Sequence, residues 1–266
     1  MDKANKKDSL TLVASCIFAA NLIYVIFIPY ASRISMPWSH LFSNTSALIS
    51  LLGIMSTFLC LKFFDESKAA WLLLFLGIAL SFLNELGSAY FVTVAGFDLA
   101  FPTIADGFRL SSYLFLSVGL LYLVLGFKSA GFPVGSWREF VSIAGLLGIV
   151  LCLLGFAIFV PIFRNPDVTN LQKTLYLLYP IADFILIFLI ILILRITTLL
   201  GEGSFFKPWR FMTAGFITMT IGNLLFAYYA THNIIPTESI SELFTNAGFL
   251  LIAIGAVAQR KIIKSL

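Results

Sequence analysis

Charge is scarce in this sequence. Asp, Glu, Lys and Arg supply 11% of its 266 residues, where an ordinary soluble domain carries about 25%. That shortage, with 60% apolar residues and a mean hydropathy of +0.99, argues against a water-soluble globule. Histidine is nearly absent. His40 and His232 are the two present, and a catalytic zinc takes three protein ligands, so both are read as structural or solvated. The three cysteines, Cys16, Cys60 and Cys152, fall in separate apolar runs with no C-x-x-C pair, and are read as small buried hydrophobes. No H-E-x-x-H, G-x-S-x-G or P-loop occurs, each of which would mark a known chemistry. An enzyme is therefore the least supported class, and no cofactor is implied. No lysine sits deep in an apolar run, which excludes a retinal Schiff base. The net charge is only +4 and the basic residues lie between apolar runs, without a basic arm or patch, so nothing points to nucleic acid as a partner.

What the sequence has is long uncharged stretches. They cover about 9–30, 41–61, 69–95, 106–127, 139–163, 172–196, 208–231 and 239–260. A membrane-spanning helix needs roughly 20 apolar residues, whereas a barrel strand alternates over about 10. Backbone groups in lipid must pair within their own segment, which leaves helices. The expected fold is an all-α integral membrane protein. One domain over 1–266 holds eight transmembrane helices, and its natural partner is the lipid bilayer. The first run follows Lys3, Lys6 and Lys7 and is too long for the core of a cleaved leader, so it reads as a retained span.

The charges orient the bundle. With the N-terminus inside, thirteen basic residues are cytoplasmic: Lys3, Lys6, Lys7, Lys62, Lys68, Lys128, Arg138, Arg195, Lys207, Arg210, Arg260, Lys261 and Lys264. Four are outside: Arg33, Arg109, Arg164 and Lys173. Lys and Arg accumulate in cytoplasmic loops, so the expected location is a cell membrane, multi-pass, with both termini cytoplasmic. Trp71, Trp137 and Trp209 begin spans at the inner face, where amphipathic rings favour the interface. Ser136-x-x-Glu139, Ser239-x-x-Glu242 and Thr103-x-x-Asp106 fit the capping box and mark three starts.

An internal repeat of four plus four spans, 9–127 and 139–260, is also expected. A shift of 138 residues aligns Trp71 with Trp209, Gly77 with Gly215 and Tyr90 with Tyr228, and a shift of 134 aligns Pro102-Thr103 with Pro236-Thr237. An even number of spans per half gives the two halves one topology.

Ionisable groups inside a membrane cost about 2.5–3.5 kcal/mol each at the helix centre and point to function. Glu85 and Asp183 are the deep acids, each roughly 15 Å from the outer ends at 1.5 Å per residue. Arg109 and Asp106 begin the fourth span. Asn223 and Asn246 fall in the outer halves of theirs, and Tyr179 shares a face with Asp183. These seven residues are the candidate ligand-binding set, lining a polar pocket open to the outside. Plainer readings stand beside this one. Asp106 and Glu242 serve as helix caps, Arg109 pairs with Asp106, the asparagines bond between helices, and Gly77, Ser81 and Ser88 give close helix packing.

Several short motifs occur in a telling order. Ala70-Trp71 opens a span, and Phe101-Pro102-Thr103-Ile104-Ala105-Asp106 leads into Leu110-Ser111-Ser112-Tyr113. Tyr179-Pro180-Ile181-Ala182-Asp183 and Gly222-Asn223-Leu224-Leu225-Phe226-Ala227-Tyr228 follow, then a Gly-Leu-Leu-type closing span from Leu243 to Gly255. Over residues 70–258 this resembles the multi-helix membrane region found upstream of many bacterial and archaeal signalling proteins, diguanylate cyclases especially. The resemblance implies a sensory membrane domain and draws attention to Asp106, Tyr179, Pro180 and Asp183. Such regions usually feed a cytoplasmic output domain. Here the sequence ends at Leu266, so a sensor is expected to act through a partner membrane or cytoplasmic signalling protein. The function expected first is a sensor or receptor binding a small-molecule or lipid-like ligand. A small proton-coupled transporter is the alternative, and an intramembrane enzyme using paired carboxylates comes third.

Overall fold

The computed structural model describes residues 9–27, 35–61, 67–94, 102–166, 168–199, 206–232 and 238–265. They form eight α-helices: α1 (Ser9–Phe27), α2 (Ser35–Phe58), α3 (Ser67–Thr93), α4 (Ile104–Ser129), α5 (Trp137–Arg164), α6 (Asn170–Leu199), α7 (Phe206–His232) and α8 (Glu238–Ser265). No strand occurs among the described residues. Seven helices, α2 to α8, are long and apolar enough to cross a membrane by length and composition. The chain is thus an all-α, multi-pass membrane-type protein.

Local sequence accounts for the boundaries. The Thr103 amide donates to Asp106 Oδ2 at 2.7 Å, the Ser136 amide to Glu139 Oε2 at 2.8 Å, and the Thr169 amide to Gln172 Oε1 at 2.7 Å. Each is the reach-back half of a capping box, which gives an otherwise unpaired donor a partner. The third box, at the start of α6, was not anticipated. Helix α8 begins at Glu238, within one residue of the expected start, and the side chain of Ser239 lies outside what is described. Pro236-Thr237 lies outside the described residues.

Six helices close a ring in the order α2, α3, α4, α6, α7, α8, each packed on the next and α8 on α2. Helix α1 lies outside it against α8 and α2, and α5 lies outside against α6 and α7. In a bilayer, helices associate by close packing and polar bonds, because lipid tails are as apolar as leucine. Glycines supply that closeness at two hairpins. A Cβ at Gly77 would stand 3.1 Å from the Leu116 amide nitrogen, and one at Gly119 3.1 Å from the Ala70 carbonyl oxygen. In α7–α8, a Cβ at Gly215 would stand 3.0 Å from the Ile252 amide, and one at Gly255 2.7 Å from the Pro208 carbonyl. Adding 138 to Ala70 and Gly77 gives Pro208 and Gly215. Adding 136 to Leu116 and Gly119 gives Ile252 and Gly255. The hairpins α3–α4 and α7–α8 therefore touch at corresponding residues.

Gly255→Ala is accordingly expected to overpack the α7–α8 contact, at about 1–3 kcal/mol. Gly145, with open space around its Cα, is the control, and Gly145→Ala should leave the melting temperature in detergent unchanged. A Gly255→Ala protein that melts with the wild type would refute the close approach.

Two expectations about placement change. Trp71 and Trp209 are 2% and 3% exposed and pack on one another, with ring centroids 6.1 Å apart. They are core residues joining α3 to α7 across the ring, not interfacial anchors, whereas Trp137 on peripheral α5 is exposed. Cys16 and Cys152 are exposed on the bundle surface and Cys60 is half-buried. The surface of a membrane bundle is as apolar as its interior, so hydrophobicity alone does not say which way a cysteine faces.

Candidate functional site

The polar residues meet in the half of the ring where α3 ends and α4 begins, here termed distal. On α4, Asp106, Arg109 and Tyr113 are spaced i, i+3, i+7 and share one helix face. Tyr179 and Asp183, spaced i, i+4, project from α6. Asn223 comes from α7. Polar side chains buried in an apolar bundle must find partners within it, and these find one another.

Asp183, 3% exposed, is the anchor. Its Oδ1 accepts from the Tyr113 hydroxyl at 2.8 Å, and both its oxygens lie 3.1 Å from Asn223 Nδ2. The Thr220 hydroxyl donates to it as well. Arg109 Nη2 donates to Asn223 Oδ1 at 2.6 Å. Asn223 is thus a relay, its carbonyl toward the cation and its amide toward the anion. The charges on either side fix that orientation. The Arg109 guanidinium also lies over the Tyr179 ring, 4.6 Å from its centroid, an attractive cation–π geometry. Tyr179 donates its hydroxyl to Asp106 Oδ1 at 2.6 Å, and its ring sits 6.2 Å from that of Tyr113.

Glu85 approaches from α3. Its bonded neighbour is Asn84, whose Nδ2 lies 3.4 Å from Glu85 Oε1, and its carboxylate is attracted by Arg109. Below it on the same helix face, Ser81 shares a 2.6 Å hydrogen bond with Ser112 of α4, and Gly77 packs on Leu116. The lower part of that stripe is therefore helix packing, and only its upper end reaches the charges.

Of the seven expected residues, Asp106, Arg109, Tyr179, Asp183 and Asn223 form one network, and Glu85 faces it. Asn246 does not join. It lies on α8, 1% exposed, and neither amide atom has a partner among the described residues. Arg109 pairs with Asn223 rather than with Asp106. Tyr113 and Thr220 are additions. The α4 spacing carried a signal for Tyr113, because it continues the face of Asp106 and Arg109. Tyr176 packs with Ile158, Ile162 and Ala227. No group of three or more His, Cys, Asp or Glu suited to a metal ion occurs among the described residues. His40, on α2, is half-buried, and the side chain of His232 lies outside what is described.

Away from this network, toward the opposite end of the helices, the ring is filled with apolar side chains. Leu74, Ile78, Leu120, Ile190, Ile193 and Met212 are all fully buried. At that end Arg195 pairs with Glu139 at 2.5 Å and donates to the Val134 carbonyl at 3.2 Å. Gly135 makes room for it with φ +118, a backbone conformation that L side chains rarely adopt.

No protein-family model matches this sequence, and no curated protein or solved structure matches it.

Proposed function

We propose that this chain is a multi-pass membrane receptor module that binds a small or lipid-like ligand at the distal polar network and passes the signal to a partner protein. In this reading α1 is the eighth span, both termini are cytoplasmic as the 13-to-4 distribution of basic residues implies, and the distal half faces outward. The two halves form a four-plus-four repeat, supported by the corresponding contacts of α3–α4 and α7–α8.

One observation carries the proposal: the unspent hydrogen-bonding capacity between Glu85 and Arg109. Asp183 is saturated by Tyr113, Asn223 and Thr220. Among the described residues Glu85 has a single long bond, from its own neighbour. Arg109 carries five donors; Nη2 bonds Asn223, and Tyr113 is a second partner of the guanidinium. A ligand with an acceptor for Arg109 and a donor for Glu85 uses what remains. Its binding would bear on α6 through Tyr179 and Asp183. Pro180, inside that helix, cannot donate to the Tyr176 carbonyl, so α6 is poised to bend there. A ligand shifts such a two-state element only by its differential affinity for the two states.

The apolar fill favours a receptor over a transporter, because it closes the path a substrate would take through the ring. The repeat is what favours transport. Native mass spectrometry of the gently extracted protein tests the reading. A co-purified small molecule is expected on the wild type and lost in Glu85→Gln. The bound fraction should also raise the melting temperature, since a ligand at 100 times its Kd adds about 2.7 kcal/mol. Proton-driven uptake into liposomes that Asp183→Asn abolishes would replace the receptor by a transporter.

A further inference from the structure

A second set of buried polar groups lies across the ring from the first, where α8 meets α2. Its register follows from two contacts. A Cβ at Gly53 would stand 3.2 Å from Ala253 Cα, and the Thr57 hydroxyl donates to the Ala256 carbonyl at 2.7 Å. Residue numbers rise together along α2 and α8, so the two helices run parallel. Seven residues, or two turns, before Gly53 is Ser46, and seven before Ala253 is Asn246. The same step from Thr57 gives Ser50. Ser46 and Asn246 thus sit at one level, about 10 Å along from the glycine contact, on the two faces that meet. Ile17 of α1 packs with Ile49, Leu250 and Ala253, and Asn21 follows one turn later on α1.

All four are buried: Asn21 2%, Ser46 0%, Ser50 0% and Asn246 1% exposed. Among the described residues Asn21 Nδ2, the Ser46 and Ser50 hydroxyls, and both amide atoms of Asn246 have no hydrogen-bond partner. This contrasts with the Asp183 side, where every member of the network is bonded to another. Each such group left unpaired in an apolar interior keeps its full desolvation penalty, and a marginally stable fold does not sustain five of them within two turns.

We propose that the α1–α2–α8 junction is a second, uncharged polar site whose occupant is buried water. The chemistry of the open groups selects it. Two amide nitrogens need acceptors, one amide oxygen needs a donor, and the hydroxyls take either role. A bare cation would serve the oxygens and repel the amide nitrogens, and an anion would leave the carbonyl unserved. Water both donates and accepts, and a buried water commonly makes about three such bonds. In lipid, ordered water is one of the few agents that can satisfy groups the helices leave unpaired.

A density map of the lipid-embedded protein at better than about 2.5 Å tests this directly. Discrete peaks are expected within hydrogen-bonding distance of Asn246 and at least one of Ser46, Ser50 and Asn21. A seam without peaks, with Asn246 turned onto a protein acceptor, would overturn the proposal. Stability gives a second test. Asn246→Leu is close to isosteric, and in a hydrated seam it strands the water and its other partners. The melting temperature should fall by about 3 °C or more. In a dry seam the same change removes an unpaired amide, and the melting temperature should rise. Replacing sodium by choline at constant ionic strength should change nothing, and a sodium-dependent gain in stability would assign the site to a cation instead. Should Asn246→Leu fail to fold, the wild-type map decides.

Discussion

Arg109→Met is expected to be the most damaging single substitution in the distal half. Arg109 is the cation that faces Glu85 and Asp183, and it also caps the Tyr179 ring and orients Asn223. Met fills similar space without charge. Its arrival leaves the acids without their counter-charge and frees Asn223 Oδ1, so the relay to Asp183 loses its reason to face one way. Removing one partner from a buried ionic arrangement costs about 3–5 kcal/mol, a large part of a typical total stability of about 5–15 kcal/mol. Asp183→Asn should cost less. Its carbonyl still accepts from Tyr113, and only its new amide opposes that of Asn223, at about 1–3 kcal/mol for the unpaired group. The pair shares Asn223, so the double variant should recover part of the Arg109→Met loss, by about 0.5–3 kcal/mol of coupling. Melting curves of the four proteins in one lipid nanodisc decide. Additive losses would mean that Arg109 and Asp183 are independent.

The same residues show how far the sequence could be read. The helices were legible because bilayer thickness sets a length that no other architecture shares, and α2 to α8 are that long and apolar. The capping residues placed the starts of α4 and α5, because a cap is local chemistry within four positions. Which helices neighbour one another was not legible. In a soluble bundle the apolar stripe names the buried face, but here both faces are apolar. Trp71 therefore read as an interfacial anchor although it packs on Trp209 in the core, and Cys152 read as buried although it faces outward. Depth was legible and azimuth was not. Glu85, Arg109, Asp183, Asn223 and Asn246 all come from the distal half, but only the tertiary arrangement separates Asn246 from the others. It shares a face with Ala253 and Ala256, the residues that meet α2, so it belongs to the opposite junction.

Asp106→Ala should lower stability by more than Tyr179→Phe, although the two residues form one hydrogen bond. The carboxylate of Asp106 does two jobs with two oxygens. Oδ2 accepts from the Thr103 amide at 2.7 Å and from the Thr103 hydroxyl at 3.3 Å, closing the first turn of α4. Oδ1 accepts from Tyr179 of α6 at 2.6 Å. Loss of a cap costs about 0.5–2 kcal/mol, and a hydrogen bond to a charged group contributes about 1.5–3 kcal/mol. Asp106→Ala forfeits both and leaves a buried phenol unpaired, for a total of about 2–5 kcal/mol from those two ranges. Tyr179→Phe forfeits only the second, since Asp106 keeps its bonds to Thr103 and the ring keeps its place under Arg109. Asp106→Asn should fall between the two, because its carbonyl can serve the Thr103 amide or the Tyr179 hydroxyl but not both with its single oxygen position. The predicted order in melting temperature is therefore wild type, Tyr179→Phe, Asp106→Asn, Asp106→Ala. Equal losses in Asp106→Ala and Tyr179→Phe would show that the start of α4 does not depend on its acidic cap. Hydrogen exchange at the first turn of α4 separates the jobs further: faster exchange is expected in Asp106→Ala and not in Tyr179→Phe. The bond matters beyond stability because it ties the first turn of α4 to α6 one residue before Pro180. A movement at that proline therefore has to carry, or break, the contact with Asp106, and the same carboxylate that starts one helix holds the other at its weakest point.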